Sequence, residues 1–152
     1  MIISFQQTPI GLIGIAESGG AITNLCFEHY PVPDGAVPGD SELLGEAFRQ
    51  LQAYLQGNLR AFDLPLDPPG TPFMCEVWRH VAAVPYGRTA SYRDVAVAAG
   101  NPKAVRAVGM ANRRNPVPVF IPCHRIIGIN GKLTGYRGGL PLKQRLLDLE
   151  RC

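Results

Sequence analysis

The stretch SYRDVAVAAGNPKAVRAVGMANRR, residues 91 to 114, predicts two short helices joined by a tight turn. Ser91 is a good helix N-cap, and the Asp94 side chain can accept a hydrogen bond from the Ser91 amide to complete a capping box. Gly100 ends the first helix, and we expect Asn101 to cap a second helix that begins at the following proline. Such a pair is typical of a DNA-binding helix-turn-helix, although an ordinary pair of packed helices would carry the same signals.

Charge is distributed unevenly along the chain. Up to Trp78 there are two basic and nine acidic residues, whereas Arg79 to Arg145 contains twelve basic residues and one acidic residue, Asp94. The two parts therefore carry net charges of −7 and +11. Because Arg106 projects from the second predicted helix, the basic part is expected to face nucleic acid, with a solvated basic surface as the alternative.

The 152-residue chain has 46% hydrophobic and 18% charged residues, which suits one ordinary globular domain or two small ones. No apolar run approaches the roughly 20 residues of a membrane span. The first residues, MIISFQQTPIG, lack the basic region and cleavage site of a signal peptide. The four cysteines lack paired spacing, so we expect a reduced, cytoplasmic protein with no membrane contact.

The first part of the chain predicts a small β-sheet and one helix. The segments MIISFQQ, LIGIAE and AITNLCFE predict strands separated by turn residues. Apolar residues at helical spacing predict a helix from about Ser41 to Gly57. The segment LRAFDLPLDPPG, residues 59 to 70, predicts an extended linker, and we place a domain boundary after residue 66.

The second part predicts a mainly helical domain. Thr71 caps a first helix, and Pro141 opens a final one. Asn130-Gly131 indicates a type I′ turn, and therefore a short hairpin, before that last helix. The expected fold is α+β: a domain of residues 1–66, made of a small sheet and a helix, packed on a helical DNA-binding domain of residues 67–152.

A reactive pair follows the helix-turn-helix in VFIPCHRIIG, residues 119 to 128, where Cys123 precedes His124. A thiol reacts as its thiolate, and a neighbouring imidazole can take the proton. Successive side chains of a strand point to opposite faces, so the pair requires a bend at Pro122 or a bridging water. The imidazole also needs a carboxylate to fix its tautomer. The C-terminal part offers three candidates: Asp94, Asp148 and Glu150.

Two simpler interpretations of Cys123 compete with this one. Most lone cysteines are small buried side chains, but the adjacent His124 and Arg125 are polar and would not be expected in an apolar core. A zinc site would need C-x-x-C or H-x-x-x-H spacing, and the chain contains neither. Packing and a terminal position are sufficient to explain the other cysteines: Cys26, Cys75 and Cys152.

The motif PCHRII, with GNPKAVRAVG and RNPVPVFI before it and GYRGG after it, strongly resembles the O6-alkylguanine-DNA alkyltransferases. These are the methylated-DNA–protein-cysteine methyltransferases that repair alkylated guanine. The match is dense from about Thr71 to Glu150, whereas over residues 1–66 only the architecture agrees with the family's variable N-terminal domain. The resemblance implies irreversible transfer of an alkyl group from O6-alkylguanine, and from O4-alkylthymine, in double-stranded DNA to Cys123. It also implies a monomer that acts once and needs no cofactor.

The resemblance gives a role to each residue that matches a family motif. Cys123 would be the nucleophile, His124 would deprotonate it through a water, and Glu150 would orient His124. Asn115 would tie the active-site loop to the recognition helix. The remaining matched residues would hold DNA by its minor groove with the damaged base flipped out: Tyr92, Arg106, Ala107, Gly109, Arg113, Tyr136 and Arg137.

The roles at the DNA differ among these residues. Tyr92 would hydrogen-bond the flipped base, Arg106 would fill the gap left in the duplex, and Tyr136 would line the base pocket. Ala107 and Gly109 are small enough to let the helix approach the groove floor closely. A helix-turn-helix alone would predict the major groove, so the minor groove is implied only by the resemblance.

Two positions depart from the family's pattern. Met110 stands where close relatives often have a glycine, and Arg137 stands where some members have a small residue, which would narrow the pocket against bulky adducts. The family's zinc-binding variants need more N-terminal ligands than Cys26 and His29.

Three rival functions each leave a feature unexplained. A relative that binds alkylated DNA without repairing it would lack the cysteine. A transcription regulator would not need the Cys-His pair, and a cysteine hydrolase would not need the basic helix-turn-helix.

Overall fold

The computed structural model describes residues 1–151, so Cys152 lies outside the described residues. The chain forms two compact units, Met1–Pro69 and a second that begins at Gly70. Within the described residues, no helix is both long enough and apolar enough to cross a membrane.

The first unit is built on a four-stranded sheet in the order β3-β2-β1-β4. β1 (Ile2–Thr8), β2 (Gly11–Ser18) and β3 (Ala21–Cys26) lie where the sequence predicts strands, and they form two successive antiparallel hairpins. β4 (Val37–Pro38) pairs in parallel with β1, within a segment rich in proline and glycine that carries no strand signal.

One helix, α1 (Glu42–Leu55), packs against this sheet. The Ser41 hydroxyl accepts a hydrogen bond from the Leu44 amide at 3.0 Å, so the helix begins where the sequence predicts. The helix and the sheet bury a shared apolar core, whose largest members are Ile13, Ile15, Ile22, Leu44, Phe48, Leu51 and Tyr54.

The segment predicted as a linker is extended but bonded to the sheet. The Ile22 amide donates to the Pro65 carbonyl, and the Asp67 amide donates to the Ile22 carbonyl, both at 2.8 Å. Leu66 therefore lies beside β3 in a parallel bridge. The end of this segment belongs to the first unit rather than forming a free connection.

Three helices form the core of the second unit: α2 (Pro72–Ala82), α3 (Tyr92–Ala98) and α4 (Val105–Arg113). The predicted capping box is present, with the Asp94 amide donating to the Ser91 hydroxyl at 3.0 Å and the Ser91 amide donating to the Asp94 carboxylate at 2.8 Å. α3 and α4 pack together and against α2 in a helix-turn-helix arrangement.

α4 begins three residues later than predicted. Asn101 closes the turn with its main-chain carbonyl, which accepts a hydrogen bond from the Ala104 amide at 3.0 Å. No side chain caps the helix at Ala104. The prediction of an Asn101 cap is therefore wrong, because the turn already uses the residues that the first helical turn would need. Trp78 fixes the other end of α4, since its Nε1 donates to the Ala111 carbonyl at 2.8 Å.

The segment from residue 115 to 126 is buried throughout but irregular. Val119 has a φ of 74°, and Cys123–Arg125 forms one turn of 3-10 helix instead of continuing a strand. The bend that the sequence allowed at Pro122 is therefore present, and it changes the directions of the side chains that follow.

The hairpin expected after the Cys-His pair is not formed as a ladder. β6 (Ile126–Ile127) pairs in parallel with β5 (Ala90–Ser91). The bond from the Gly131 amide to the Gly128 carbonyl at 2.8 Å closes a turn with Ile129 and Asn130 at its centre, and neither of these residues has a positive φ. A type I′ turn needs a positive φ at both central residues, so the predicted turn type is wrong.

The last helix, α5 (Leu140–Arg151), buries charged residues as well as leucines. The buried positions recur at helical spacing and include Lys143, Leu146, Leu147 and Glu150. Two ionisable side chains therefore lie on the inner face of α5, and they lead directly to the candidate site.

Candidate active site

Cys123 begins the 3-10 turn and is only 4% exposed. Its carbonyl accepts a hydrogen bond from the Asn112 side chain of α4 at 3.3 Å. Burial raises the pKa of the Cys123 thiol to about 11, although a hydrogen bond from Asn115 and the charges of Lys143 and Arg137 act in the opposite direction. The resting group at neutral pH is therefore the thiol, and a base must remove its proton before it can react.

His124 is fully buried, with its Nε2 atom 2.7 Å from the Glu150 carboxylate. Because an ionised carboxylate can only accept, Nε2 carries the hydrogen, and in the neutral ring the lone pair is on Nδ1. Burial lowers the pKa of His124 below its usual value, despite the opposite effect of Glu150. The resting imidazole is therefore neutral at pH 7 and can accept a proton.

The three carboxylates that the sequence left open lie in different places. Glu150 reaches His124 from α5. Asp94 closes the capping box of α3, and Asp148 lies on the exposed side of α5, where it accepts from Gln144 at 2.8 Å.

Arg125 is the site residue that sequence reasoning missed most clearly. Its Nε and Nη2 atoms donate to the two Glu150 oxygens at 2.8 and 3.0 Å, and its Nη1 donates to the Val84 carbonyl at 2.8 Å. The guanidinium also lies 5.7 Å from the centre of the Tyr86 ring. Contrary to expectation, both His124 and Arg125 lie in the core, because Glu150 satisfies both.

Lys143 is a second charged residue that was not predicted. It is fully buried, and its Nζ donates to the Ile126 carbonyl at 2.6 Å and to the Thr134 carbonyl at 2.9 Å. Burial lowers the pKa of Lys143 to about 8, and its charge acts on the Cys123 thiol. Its helical spacing from Leu146 and Glu150, three and seven residues away, was the signal that it shares that buried face.

Asn115 joins the end of α4 to the chain before Cys123. Its Nδ2 donates to the Ile121 carbonyl, and its Oδ1 accepts from the Val117 amide, both at 2.9 Å. Asn112 within α4 and Asn115 just after it therefore each hold the chain around Cys123.

The loop after β6 contacts the start of α3. The Thr134 hydroxyl donates to the Tyr92 hydroxyl at 3.0 Å, and Lys143 lies 5.9 Å from the centre of the Tyr92 ring. Tyr136 and Arg137 are half-buried in the same loop, and the Arg137 charge acts on the Cys123 thiol. The loop therefore brings Tyr92 and Arg137 towards one site.

The outer face of α4 borders an open pocket of about 300 Å³. Its lining residues come from α3, α4 and the loop after β6: Tyr92, Val105, Arg106, Gly109, Met110, Arg113 and Thr134. Ala107 is exposed on the same helix. A side chain at Gly109 would approach the Tyr92 ring to 3.8 Å, so the helix lies close to Tyr92 there.

Arg113 does more than face solvent. A Cβ atom at Gly135 would lie 2.7 Å from the Arg113 guanidinium, so this arginine packs directly on the loop backbone. Arg113 therefore supports the loop that carries Tyr136 and Arg137.

The site thus combines a buried thiol, a neutral imidazole held by a carboxylate, and an exposed basic helix. Such a thiol can act as a nucleophile towards a substrate that the basic face has bound. Among residues 1–151, no group of three or more His, Cys, Asp and Glu side chains is placed to hold a metal ion.

Two family models match the chain. Residues 72–152 match the DNA-binding domain of the 6-O-methylguanine DNA methyltransferases, and residues 1–68 match the ribonuclease-like domain of the same proteins.

Curated relatives and solved structures agree with this match. The methylated-DNA–protein-cysteine methyltransferase of Methanosarcina acetivorans is 46% identical over 99% of this chain and 98% of its own length. A constitutive enzyme of the same name from Bacillus subtilis is 45% identical over 95% of this chain and 92% of its own. The crystal structure of Mycobacterium tuberculosis OGT in complex with DNA superposes with a TM-score of 0.93 at 42% identity, covering 99% of this chain and 93% of that one.

Proposed function

The chain belongs to the 6-O-methylguanine DNA methyltransferase family, and from this membership we propose that it repairs DNA by transferring the alkyl group of O6-alkylguanine to the sulfur of Cys123. O4-alkylthymine is the second proposed substrate. The observation that carries the proposal is the buried Cys123 thiol, followed in the same 3-10 turn by a buried His124 ring that Glu150 holds at 2.7 Å.

The proposed reaction is a single displacement at the alkyl carbon. His124 accepts the thiol proton through a bridging water, the sulfur attacks the alkyl carbon, and the electrons of the broken C–O bond pass to guanine O6. The proton held by His124 then passes to the guanine anion, so unmodified guanine is restored. Cys123 becomes a thioether. Because a thioether is chemically stable, each molecule acts once, and the reaction consumes no cofactor.

We propose that α4 binds the minor groove of double-stranded DNA with the damaged base flipped out. The alkyl carbon of a paired guanine lies within the stack, and extrusion of the base costs a few kcal/mol. Arg106 is exposed on α4 and would occupy the gap, while the small Ala107 and Gly109 would allow close approach. The degenerate pattern of the minor groove suits repair that must not depend on sequence.

The base pocket is assigned to the loop after β6 and the start of α3. Tyr92, whose hydroxyl Thr134 holds, would hydrogen-bond the flipped base. Tyr136 would line the pocket beside the base, and Arg113 would contact a phosphate while it supports the loop at Gly135.

The domain roles, oligomeric state and location are also proposals. Residues 67–152 would carry both DNA binding and alkyl transfer, because every proposed site residue lies within them, and residues 1–66 would be the family's variable domain. A monomer is sufficient, since one chain supplies the whole site. Among residues 1–151 no two cysteines form a disulfide, which fits a reducing cytoplasm.

The size of the pocket leads to a prediction about Arg137. If its half-buried side chain crowds the site, O6-benzylguanine reacts slowly with the wild type, and Arg137→Gly accelerates it more than it accelerates O6-methylguanine. Second-order rates for both free bases give the ratio. Arg137→Lys is the matched control, because it keeps the positive charge that acts on Cys123. Equal effects of Arg137→Gly on the two bases would contradict a role in pocket size.

The stoichiometry of transfer tests the proposed function. With an excess of DNA carrying radiolabelled O6-methylguanine, we expect one methyl group per protein molecule, bound to protein, and then no further release of repaired DNA. Continued turnover, or label that leaves the protein, would contradict a terminal thioether.

A further inference from the structure

The carboxylate of Glu150 accepts more hydrogen bonds than the orientation of one histidine requires. His124 donates to one oxygen, Arg125 donates to both, and the Gly87 amide donates to Oε1 at 3.2 Å. The side chains of Glu150 and His124 are 1% and 0% exposed, so their charges cannot be screened by bulk water. The charge of this carboxylate must therefore be balanced locally.

We propose that Arg125 is a positioning residue for alkyl transfer, which balances the charge of Glu150 and thereby keeps His124 neutral and able to accept the Cys123 proton. The inference rests on the proposed function, because it assigns a role within the same site.

Either of two groups could supply the positive charge that Glu150 needs. If His124 supplied it, the ring would hold a second proton and could not accept one from the thiol. Arg125 can supply it permanently, because a guanidinium does not lose its proton in proteins. With Arg125 in place, Glu150 can fix the tautomer of His124 without drawing a proton onto the ring.

Arg125 is also held independently of Glu150. The Val84 carbonyl accepts from Nη1, and the Tyr86 ring lies below the guanidinium at 5.7 Å. A planar guanidinium fixed in this way presents two parallel N–H groups to the carboxylate, which a lysine cannot do. The arrangement therefore separates two properties, charge and bidentate geometry, that substitution can test one at a time.

The charged groups around His124 support a neutral ring with the positive charge on Arg125. Two of these groups lie on α5: Glu150 raises the pKa of His124 and Lys143 lowers it. Arg125, in the same 3-10 turn as His124, also lowers it. Cys123 is its neighbour in the turn. α2, which also packs against the turn, carries Glu76, Arg79 and His80, which bond to one another. Removal of the Arg125 charge should therefore raise the pKa of His124.

Nitrogen-15 NMR of the imidazole rings tests the proposal in the unreacted protein. The wild type, labelled at its histidines, should show His124 as a neutral ring with its hydrogen on Nε2 at pH 7, assigned by the signal that His124→Gln removes. A doubly protonated His124 at pH 7 in the wild type would overturn the proposal. This measurement needs no Arg125 variant, so it can overturn the proposal even if such a variant fails to fold.

The pH profile of alkylation separates charge from geometry. Arg125→Gln removes the charge and should raise the pKa of His124. We therefore expect the acid limb of the pH–rate profile to move to higher pH by about one unit or more. Arg125→Lys is the matched control: its limb should coincide with that of the wild type while its plateau falls. If the limb of a folded Arg125→Gln protein stayed in place and only the plateau fell, Arg125 would be structural and the proposal would be wrong.

The two levels of inference fail in different ways. Absence of alkyl transfer by the wild type at every pH, with a neutral His124 in the spectrum, would contradict the proposed function. Alkyl transfer by a wild type whose His124 is charged would contradict the roles of Arg125 and of His124 as the proton acceptor, and would leave transfer to Cys123 standing.

Discussion

Replacement of Cys123 by serine is expected to abolish alkyl transfer and to leave DNA binding intact. A serine hydroxyl is a far weaker nucleophile at neutral pH than a thiol assisted by His124, so the transferred alkyl group should fall below detection. DNA binding should persist, because the exposed basic residues of α4 are separate from the buried cysteine. Alkyl transfer and binding to methylated duplex are measured on the same preparation.

Cys75→Ser is the matched control for this experiment. Cys75 is exposed at the start of α2, so its replacement tests the loss of a thiol without disturbing the buried site. It should transfer the alkyl group like the wild type. Loss of both transfer and DNA binding in a folded Cys123→Ser protein would mean that the two roles are not separate.

Arg106→Ala is expected to slow the repair of duplex DNA by about 100-fold. An arginine that fills the space left by the flipped base offsets part of an unstacking cost of a few kcal/mol, and about 1.4 kcal/mol corresponds to a tenfold change in rate. Only duplex DNA incurs the full cost. Repair of the free base O6-methylguanine should barely change, and single-stranded DNA should fall between the two.

The control for Arg106 must remove a basic residue without disturbing the site. Arg113 is unsuitable, because it packs on the loop at Gly135. Lys103 is exposed in the turn before α4, so Lys103→Ala should cost at most one phosphate contact and reduce the salt slope by roughly one. Equal slowing of all three substrates by Arg106→Ala would indicate a role in the fold. An effect on duplex DNA no larger than that of Lys103→Ala would reduce Arg106 to another phosphate contact.

Local signals in the sequence predicted most of the helices and strands. The caps at Ser41, Thr71 and Ser91 are present because each depends on a side chain and an amide three residues away. Three strands of the first unit, β1 to β3, were predicted from strand-like segments separated by turn residues. Such features depend on near neighbours, and near neighbours are what a single sequence displays.

The errors arose where the main chain makes bonds that the side chains do not reveal. The carbonyl of Asn101 closes a turn in place of its side chain, which delays the start of α4 to Val105. Asn130 and Gly131 lie in a turn that the Gly128 carbonyl closes, but β6 pairs with β5 instead of with the chain that follows that turn. Distant partners compete for the same main-chain groups, and local patterns cannot rank them.

The charged part of the site lay furthest beyond sequence reasoning. Arg125 and Lys143 were counted as basic residues of a surface, yet both are buried, with Arg125 on Glu150 and Lys143 on two main-chain carbonyls. Burial of a charge depends on a compensating group that is distant in sequence, 25 residues away for Arg125 and Glu150. The resemblance to a family supplied Glu150 but not the arginine that shares it.

The most direct test of the central claim is a peptide mass spectrum of the protein after incubation with duplex DNA that contains O6-methylguanine. The account predicts a mass increase of one CH2 group, confined to the peptide that contains Cys123, with Cys26 and Cys75 unchanged and one modification per molecule. A protein that binds this DNA but gains no mass would be a binding module or a regulator. Release of product from an unmodified protein would make it a hydrolase, and either result would contradict transfer to Cys123.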